Sequence, residues 1–174
     1  MIPSNRHTTV SVANIFQYPA TDTFSREPFV VMFSYPKSGG SFFFALIPQH
    51  TSPHPTSQRA TPKTFVQIDA LYDVAAYIKN LWMTDNIILL GDFNAGCTYV
   101  TTYDWQYIRL RTNQTFHWLI PDTADTTVRH KNCPYDRIVA TPAMMQVVVP
   151  GSAVVYDYMT ALNLNQSMVS PHTM

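Results

Sequence analysis

Charge is the first thing this sequence is short of. Only 13% of its 174 residues are Asp, Glu, Lys or Arg, and eleven cations balance eleven anions. A protein that grips duplex DNA chiefly by charge carries a basic excess. Any nucleic-acid contact here must rest on a few placed groups or on a metal. Hydrophobic residues make up 46% of the chain, which excludes a disordered polymer. No apolar stretch approaches the roughly 20 residues that span a bilayer, so no membrane partner is expected. The opening MIPSNRHTTV lacks the apolar core of a secretory signal.

Cysteine occurs only twice, at Cys97 and Cys133, and the count alone leaves their state open. If paired, they close a loop that chain entropy values at roughly 3.5–4 kcal/mol, and they imply an oxidising compartment. Two tripeptides, Asn113-Gln114-Thr115 and Asn165-Gln166-Ser167, have the form of glycosylation acceptors, which matter only in a secreted chain.

The apolar pattern that remains fits one domain with a real core. Alternation marks a strand over 10–18, ending before Pro19, and a second strand over 29–34. Phe42 to Ile47 is a nearly continuous apolar run, as in a strand covered on both faces. Residues 51–64 carry three prolines and four threonines and read as an exposed loop. Phe65, Ile68, Leu71, Tyr72, Ala75, Ile78 and Trp82 then recur at spacings of three and four, predicting one amphipathic helix. A strand at 87–91 follows, and strand–helix–strand predicts a crossover within one sheet. Further on, the pattern predicts a short helix over 105–110, an apolar run at 116–120, and strands at 138–140 and 145–149. The segment from Asp157 reads as a weak helix or tail.

The stretch LLGDFNAGC stands out within this pattern. In an extended chain residues i and i+2 share a face, so Asp92 and Asn94 stand together while Phe93 turns inward. Gly91 and Gly96 let the backbone bend or approach a neighbour closely. His50 and Asp136 also fall at strand ends, and converging strand ends are a common place for an α/β active site. A histidine, two carboxylates and an amide suit metal-assisted attack of water on a phosphate ester. Mg²⁺ prefers oxygen ligands and needs only one or two carboxylates. Each residue also has a plainer reading: a surface histidine, a turn aspartate, an Asp136–Arg137 ion pair. His7, His54, His117 and His130 read as structural or exposed, and Phe42 to Phe44 as core.

The runs TFSREPFVV, LYDV, LLGDFNAGCTYV, YIRLRT, FHWLIPDTADTT and CPYDRIV resemble the deoxyribonuclease I family of the endonuclease/exonuclease/phosphatase superfamily. The likeness runs in order from about residue 10 to about 164, with 165–174 a divergent tail, and implies one incomplete domain. GDFNAG alone would indicate only the superfamily; LIPDTADTT followed by CPYDRIV is far more specific. The resemblance implies an α/β fold: a partial four-layer sandwich of two packed mixed β-sheets flanked by helices. It implies metal-dependent hydrolysis of phosphodiester bonds in double-stranded DNA, with Mg²⁺ and Ca²⁺ as cofactors, in a secreted monomer. Some relatives bind actin, which nothing in this sequence supports.

Carried over by position, the resemblance makes His50 a catalytic histidine and Asp92 and Asn94 the acid and amide that arrange phosphate and metal. Asp92 becomes a Mg²⁺ ligand, and Asp136 the carboxylate that orients a second histidine. Arg26 matches a phosphate-binding arginine and Tyr99 a DNA-backbone contact. Asp125 and Thr127 match a calcium site, and Cys97 and Cys133 the family's structural disulfide. The departures are equally specific. The matched region begins about a third of the way along the family's chain, so two site glutamates, much of the DNA-facing surface and the last strand are expected to be missing. Ser170-Pro171-His172 stands where the family has Ser-Asp-His, as an altered remnant or an unrelated tail. These departures raise a second expectation, a catalytically inactive fragment that at most binds. They also predict exposed apolar faces at Val10, Val12 and 29–33.

Overall fold

A computed structural model describes residues 9–20, 22–53, 63–128 and 131–169. Its centre is one mixed sheet of six strands in the order β1-β2-β3-β4-β6-β5. Strands β1 (Ser11–Gln17), β2 (Phe29–Lys37) and β3 (Gly40–Pro48) form an antiparallel meander. The turn at Gly39 and Gly40, both at positive φ, is one that glycine adopts without steric cost.

After β3 the chain crosses over through helix α1 (Thr64–Trp82) and returns as β4 (Ile87–Asp92), parallel to β3. The helix bounds agree with the 3–4 spacing of its apolar residues. Ile68, Leu71, Val74, Ala75 and Ile78 are buried against the sheet. They meet Val30, Ala45, Ile47, Ile87, Leu89 and Val139, which complete the core. The helix ends at Met83, in the left-handed region with its N–H on the Lys79 carbonyl, a common helix stop.

Beyond β4 the predicted helix at 105–110 appears as a 3-10 turn over Asp104–Tyr107 followed by α2 (Arg109–Thr112). Strand β5 is only His117–Trp118, and β6 (Asp136–Ala140) runs antiparallel to β4. The strand expected at 145–149 does not form. Pro142 opens a short helix α3 (Pro142–Met145) instead, because proline is preorganised for a first helical turn. The valines that follow run into Pro150-Gly151 and pair with no described strand. Two further short helices, α4 (Tyr158–Ala161) and α5 (Gln166–Val169), end the described chain.

Helix α1 covers one sheet face, and all described strands belong to this one sheet. The chain is thus an α/β fold and a partial domain, as the resemblance implied, with its described strands in one mixed sheet. β3 alternates buried and half-exposed rather than being covered on both faces. Val10 and Phe29 are exposed, with Val12 at 60% and Ile15 at 57%. Val31, Met32 and Phe33 are half-buried, whereas Val30 is fully buried on the helix side. No described helix is long and apolar enough to cross a membrane.

Candidate active site

Parallel pairing of β3 and β4 puts their carboxyl ends side by side, and antiparallel pairing brings the start of β6 to the same edge. Asp92, the last residue of β4, lies opposite Asp136, the first of β6. Past Pro48 the β3 backbone keeps its ladder: Gln49 N–H donates to the Leu90 carbonyl at 2.9 Å and Thr51 N–H to the Asp92 carbonyl at 3.0 Å. His50 lies between these two bonds, so its side chain stands beside Asp92.

Gly91 makes this close approach possible. Its φ is +130°, and a Cβ there would lie 2.2 Å from the Gln49 carbonyl oxygen. Any other residue would drive the end of β3 away from the end of β4. The glycine before the aspartate thus sets the spacing of histidine and acid.

The carboxylate of Asp92 is fixed from two sides. Oδ1 accepts the Asn94 N–H at 2.8 Å, while Oδ2 lies 3.7 Å from His50 Nε2. The second distance is too long for a hydrogen bond and leaves the two groups in electrostatic contact across partly exposed space. Asn94 adopts a left-handed φ of 47°, which asparagine tolerates better than most residues. Its side chain, 4% exposed, donates to the Thr51 carbonyl at 2.9 Å. Thr51 in turn donates from its hydroxyl to the Phe93 carbonyl at 2.5 Å. Asp92 and Asn94 are therefore held by one network spanning two chain segments, and His50 is placed by the backbone bonds of Gln49 and Thr51 on either side of it.

Asp136 donates its N–H to the Thr126 hydroxyl. Partial burial lifts its carboxyl above the usual range and the facing Asp92 adds to the rise. The Thr126 hydroxyl, its own backbone and His50 pull it back. By accessible surface the residue is exposed, so solvent screening keeps the shift modest. Two carboxylates opposed across a ladder repel each other, and a cation between them relieves that repulsion. Their oxygen donors suit Mg²⁺.

A cleft of about 410 Å³ opens over His50, Asp92 and Asn94, lined also by Tyr99, Thr127, Lys131 and Tyr135. The rings of Tyr99 and Tyr135 lie 5.5 Å apart on its wall. Arg26 is exposed and anchored by its carbonyl, which accepts from Gln49 Nε2 at 2.8 Å, one residue from His50. Asp125 uses Oδ1 to accept the Thr127 N–H and hydroxyl at 3.0 and 2.9 Å. Among the described residues no cluster of three or more His, Cys, Asp or Glu gathers at one point. A calcium ion at this loop would draw on the other Asp125 oxygen and on neighbouring carbonyls.

Cys97 and Cys133 form a disulfide with Cα atoms 5.9 Å apart. It ties the loop after Asn94 to the segment just before Asp136. Beneath it Arg137, 1% exposed, donates to the carbonyls of Ala95 and Ile120 and to Asp122. Its guanidinium lies 5.7 Å from the Trp105 ring and 5.4 Å from the Trp118 ring. Burial lowers its pKa, and Asp122 opposes that shift.

Sequence reasoning missed Thr51, Gln49, Thr126 and Arg137 as supports, because their contacts bridge residues distant in sequence. Only the adjacency of Gln49 and Thr51 to His50 could have drawn attention to them. His117 sits on β5, exposed, away from the site. His7, His54, His130 and Ser170-Pro171-His172 lie outside the described residues.

A family model described as the Endonuclease/Exonuclease/phosphatase family matches residues 7–172. Deoxyribonuclease-1-like 2 of Mus musculus is 45% identical over 164 residues, covering 93% of this chain and 56% of the relative. Deoxyribonuclease-1 of Equus caballus is 45% identical over 163 residues, covering 90% and 55%. The chain thus spans a little over half the length of these curated relatives. An endonuclease/exonuclease/phosphatase family protein from Bacteroides thetaiotaomicron superposes with a TM-score of 0.51 at 14% identity, over 79% of this chain and 52% of the other. The chain belongs to the endonuclease/exonuclease/phosphatase family, within its deoxyribonuclease I group.

Proposed function

We propose that the strand-end cluster is part of a DNA endonuclease site that hydrolyses phosphodiester bonds with a divalent metal. The supporting observation is the convergence of His50, Asp92 and Asn94 under a cleft with Tyr99 on its wall, with Asp136 opposite Asp92 on the same sheet edge. In this reading His50, half-exposed and beside Asp92, takes the proton from the attacking water or binds the phosphate oxygen. Asp92 stays oriented because Asn94 N–H occupies one of its oxygens. Asp92 would hold Mg²⁺, with Asp136 opposite; the ion would supply neutralisation of charge on the phosphate. Arg26 and Tyr99 serve the DNA backbone, and Asp125 with Thr127 would hold Ca²⁺ and brace the loop beside the cleft. The substrate is double-stranded DNA, and the protein acts as a secreted monomer. The Cys97–Cys133 bridge supports an oxidising compartment.

A second reading, that this chain is catalytically impaired, draws on a separate observation. His50 is the one described histidine at the site, and among the described residues the Asp136 carboxylate bonds to the Thr126 hydroxyl and to no histidine. A missing acid–base partner costs roughly 10²–10⁴-fold in rate. Nicking of a supercoiled plasmid in Mg²⁺ and Ca²⁺ tests both readings. Slow nicking that a chelator stops is the expected result. Nicking at the rate of an intact deoxyribonuclease I would overturn the impaired reading. Nicking that survives the chelator would overturn the metal-assisted one.

A further inference from the structure

The Asn113-Gln114-Thr115 tripeptide takes no part in the site, yet its geometry is specific. Asn113 caps α2, with its N–H on the Arg109 carbonyl. Its Oδ1 accepts both the Thr115 N–H at 3.0 Å and the Thr115 hydroxyl at 2.8 Å. The two bonds polarise the amide and fix its rotation. Threonine, branched at Cβ, holds its hydroxyl in few rotamers. The amide nitrogen, Nδ2, donates to no group among the described residues. Gln114 and Thr115 are exposed and Asn113 is half-buried, so the turn projects from the body of the fold.

The space beside this turn suits a sugar. Asn113 lines a cleft of about 480 Å³ together with Tyr72, Ala76, Phe116, Pro142 and Ala143. Aromatic and small apolar side chains match the apolar face of a pyranose ring. Ile87 lines the same cleft, whereas Asp92, at the other end of β4, lines the catalytic one. Five residue steps along a strand cover roughly 17 Å, so an oligosaccharide on Asn113 would leave the nuclease cleft open.

We propose that Asn113 is an N-glycosylation site whose first sugar sits over this cleft. The inference rests on the secretory part of the proposed function, which the Cys97–Cys133 bridge supports independently of the sequon. In the transfer, Nδ2 forms a bond to C1 of the reducing-end sugar of a lipid-linked oligosaccharide diphosphate. The bond from C1 to the diphosphate oxygen breaks, the lipid diphosphate leaves, and one Nδ2 proton passes to base. No oxidant or reductant is needed. The second sequon is the internal comparison: Asn165 Oδ1 also accepts its sequon hydroxyl, from Ser167, but its other bond comes from the Met168 N–H at the start of α5, and Asn165 does not line the cleft that Asn113 lines.

The test is expression of the full chain behind a secretory leader in cultured eukaryotic cells, reading lysate and medium together. Reading the lysate as well as the medium keeps variants that fold poorly in the comparison. The expected result is a mass shift of one oligosaccharide, removed by a peptide N-glycosidase that leaves aspartate at position 113. Asn113→Gln and Thr115→Ala should abolish the shift, Thr115→Ser should retain it, and Asn165→Gln should leave it unchanged. A chain with the Cys97–Cys133 bridge formed but no glycan would overturn the inference alone, as would a shift that survives Asn113→Gln. A glycosylated chain in which the bridge never forms would instead overturn the secretory reading.

Discussion

Replacing Cys97 and Cys133 together by serine tests how far one covalent link organises both the fold and the site. The bridged residues are 36 apart in sequence. Chain entropy for a loop of that size gives roughly 4 kcal/mol of stabilisation at 25 °C. Whole domains are stable by only about 5–15 kcal/mol, so the loss would be a large fraction of the total. The bridge is reinforced locally, since Phe93 N–H donates to the Tyr135 carbonyl at 2.9 Å and Gly96 packs against Pro134. Those contacts cannot replace the restriction that the bridge places on the unfolded chain. Urea unfolding followed by tryptophan fluorescence is a suitable assay, because Trp105 and Trp118 meet edge-to-face at 5.4 Å under the bridged loops. With a urea slope of about 2 kcal/mol per molar, the midpoint should fall by about 2 M. Reduced wild type should behave like the double variant. A double variant within about 1 kcal/mol of the oxidised protein would refute the reasoning. It would mean that the unfolded chain is already compact between these residues.

Gly91→Ala should cost at least about 1 kcal/mol, because the new Cβ meets the Gln49 carbonyl at a φ of +130°. It should also remove nuclease activity by separating His50 from Asp92; a melting curve and a nicking assay on the same sample check both. Arg137→Met should destabilise by roughly 2–5 kcal/mol, since the Ala95 and Ile120 carbonyls lose their donors. Calorimetry showing an equal or higher melting temperature would count against that buried cation as an organiser. The carboxyl of Asp136 is raised by burial and then by Asp92, so its folded pKa lies above the unfolded value. Such a group favours the folded state most below the unfolded pKa and loses that contribution as pH rises through the folded one. Asp136→Asn should therefore gain stability relative to wild type at neutral pH and lose that advantage in acid, as read from melting temperature against pH. Added divalent cation should shift the acid limb of any nuclease activity to lower pH, because it stabilises the ionised pair.

The parts of the fold set by local pattern could be read from the sequence. The 3–4 spacing from Phe65 to Trp82 marked α1 to within a residue, and the run at 87–91 marked β4. Both signals are long or bounded by clear breakers. The segment at 145–149 reads as a strand, but three consecutive valines favour one only where a partner strand exists. Here Pro142 had already begun a helix. The site showed the same division. Asp92 and Asn94 were visible as a pair because i, i+2 geometry is local. The network that holds them was not, since Thr51 reaches Phe93 and Asn94 across more than forty residues. A glycine at 91 permits close approach, but only the folded register shows that its neighbour is the Gln49 carbonyl.

The central claim is that His50 and Asp92 work on one phosphodiester at the edge of the sheet. Plasmid nicking by the full chain in Mg²⁺ and Ca²⁺ should be compared with His50→Ala and with a remote control, Lys79→Gln, whose lysine pairs with Asp85 at the opposite end of β4. The account predicts that His50→Ala lowers the wild-type rate by roughly 10²-fold or more, to the limit of detection, while Lys79→Gln leaves it unchanged. Equal nicking by wild type and His50→Ala would contradict it.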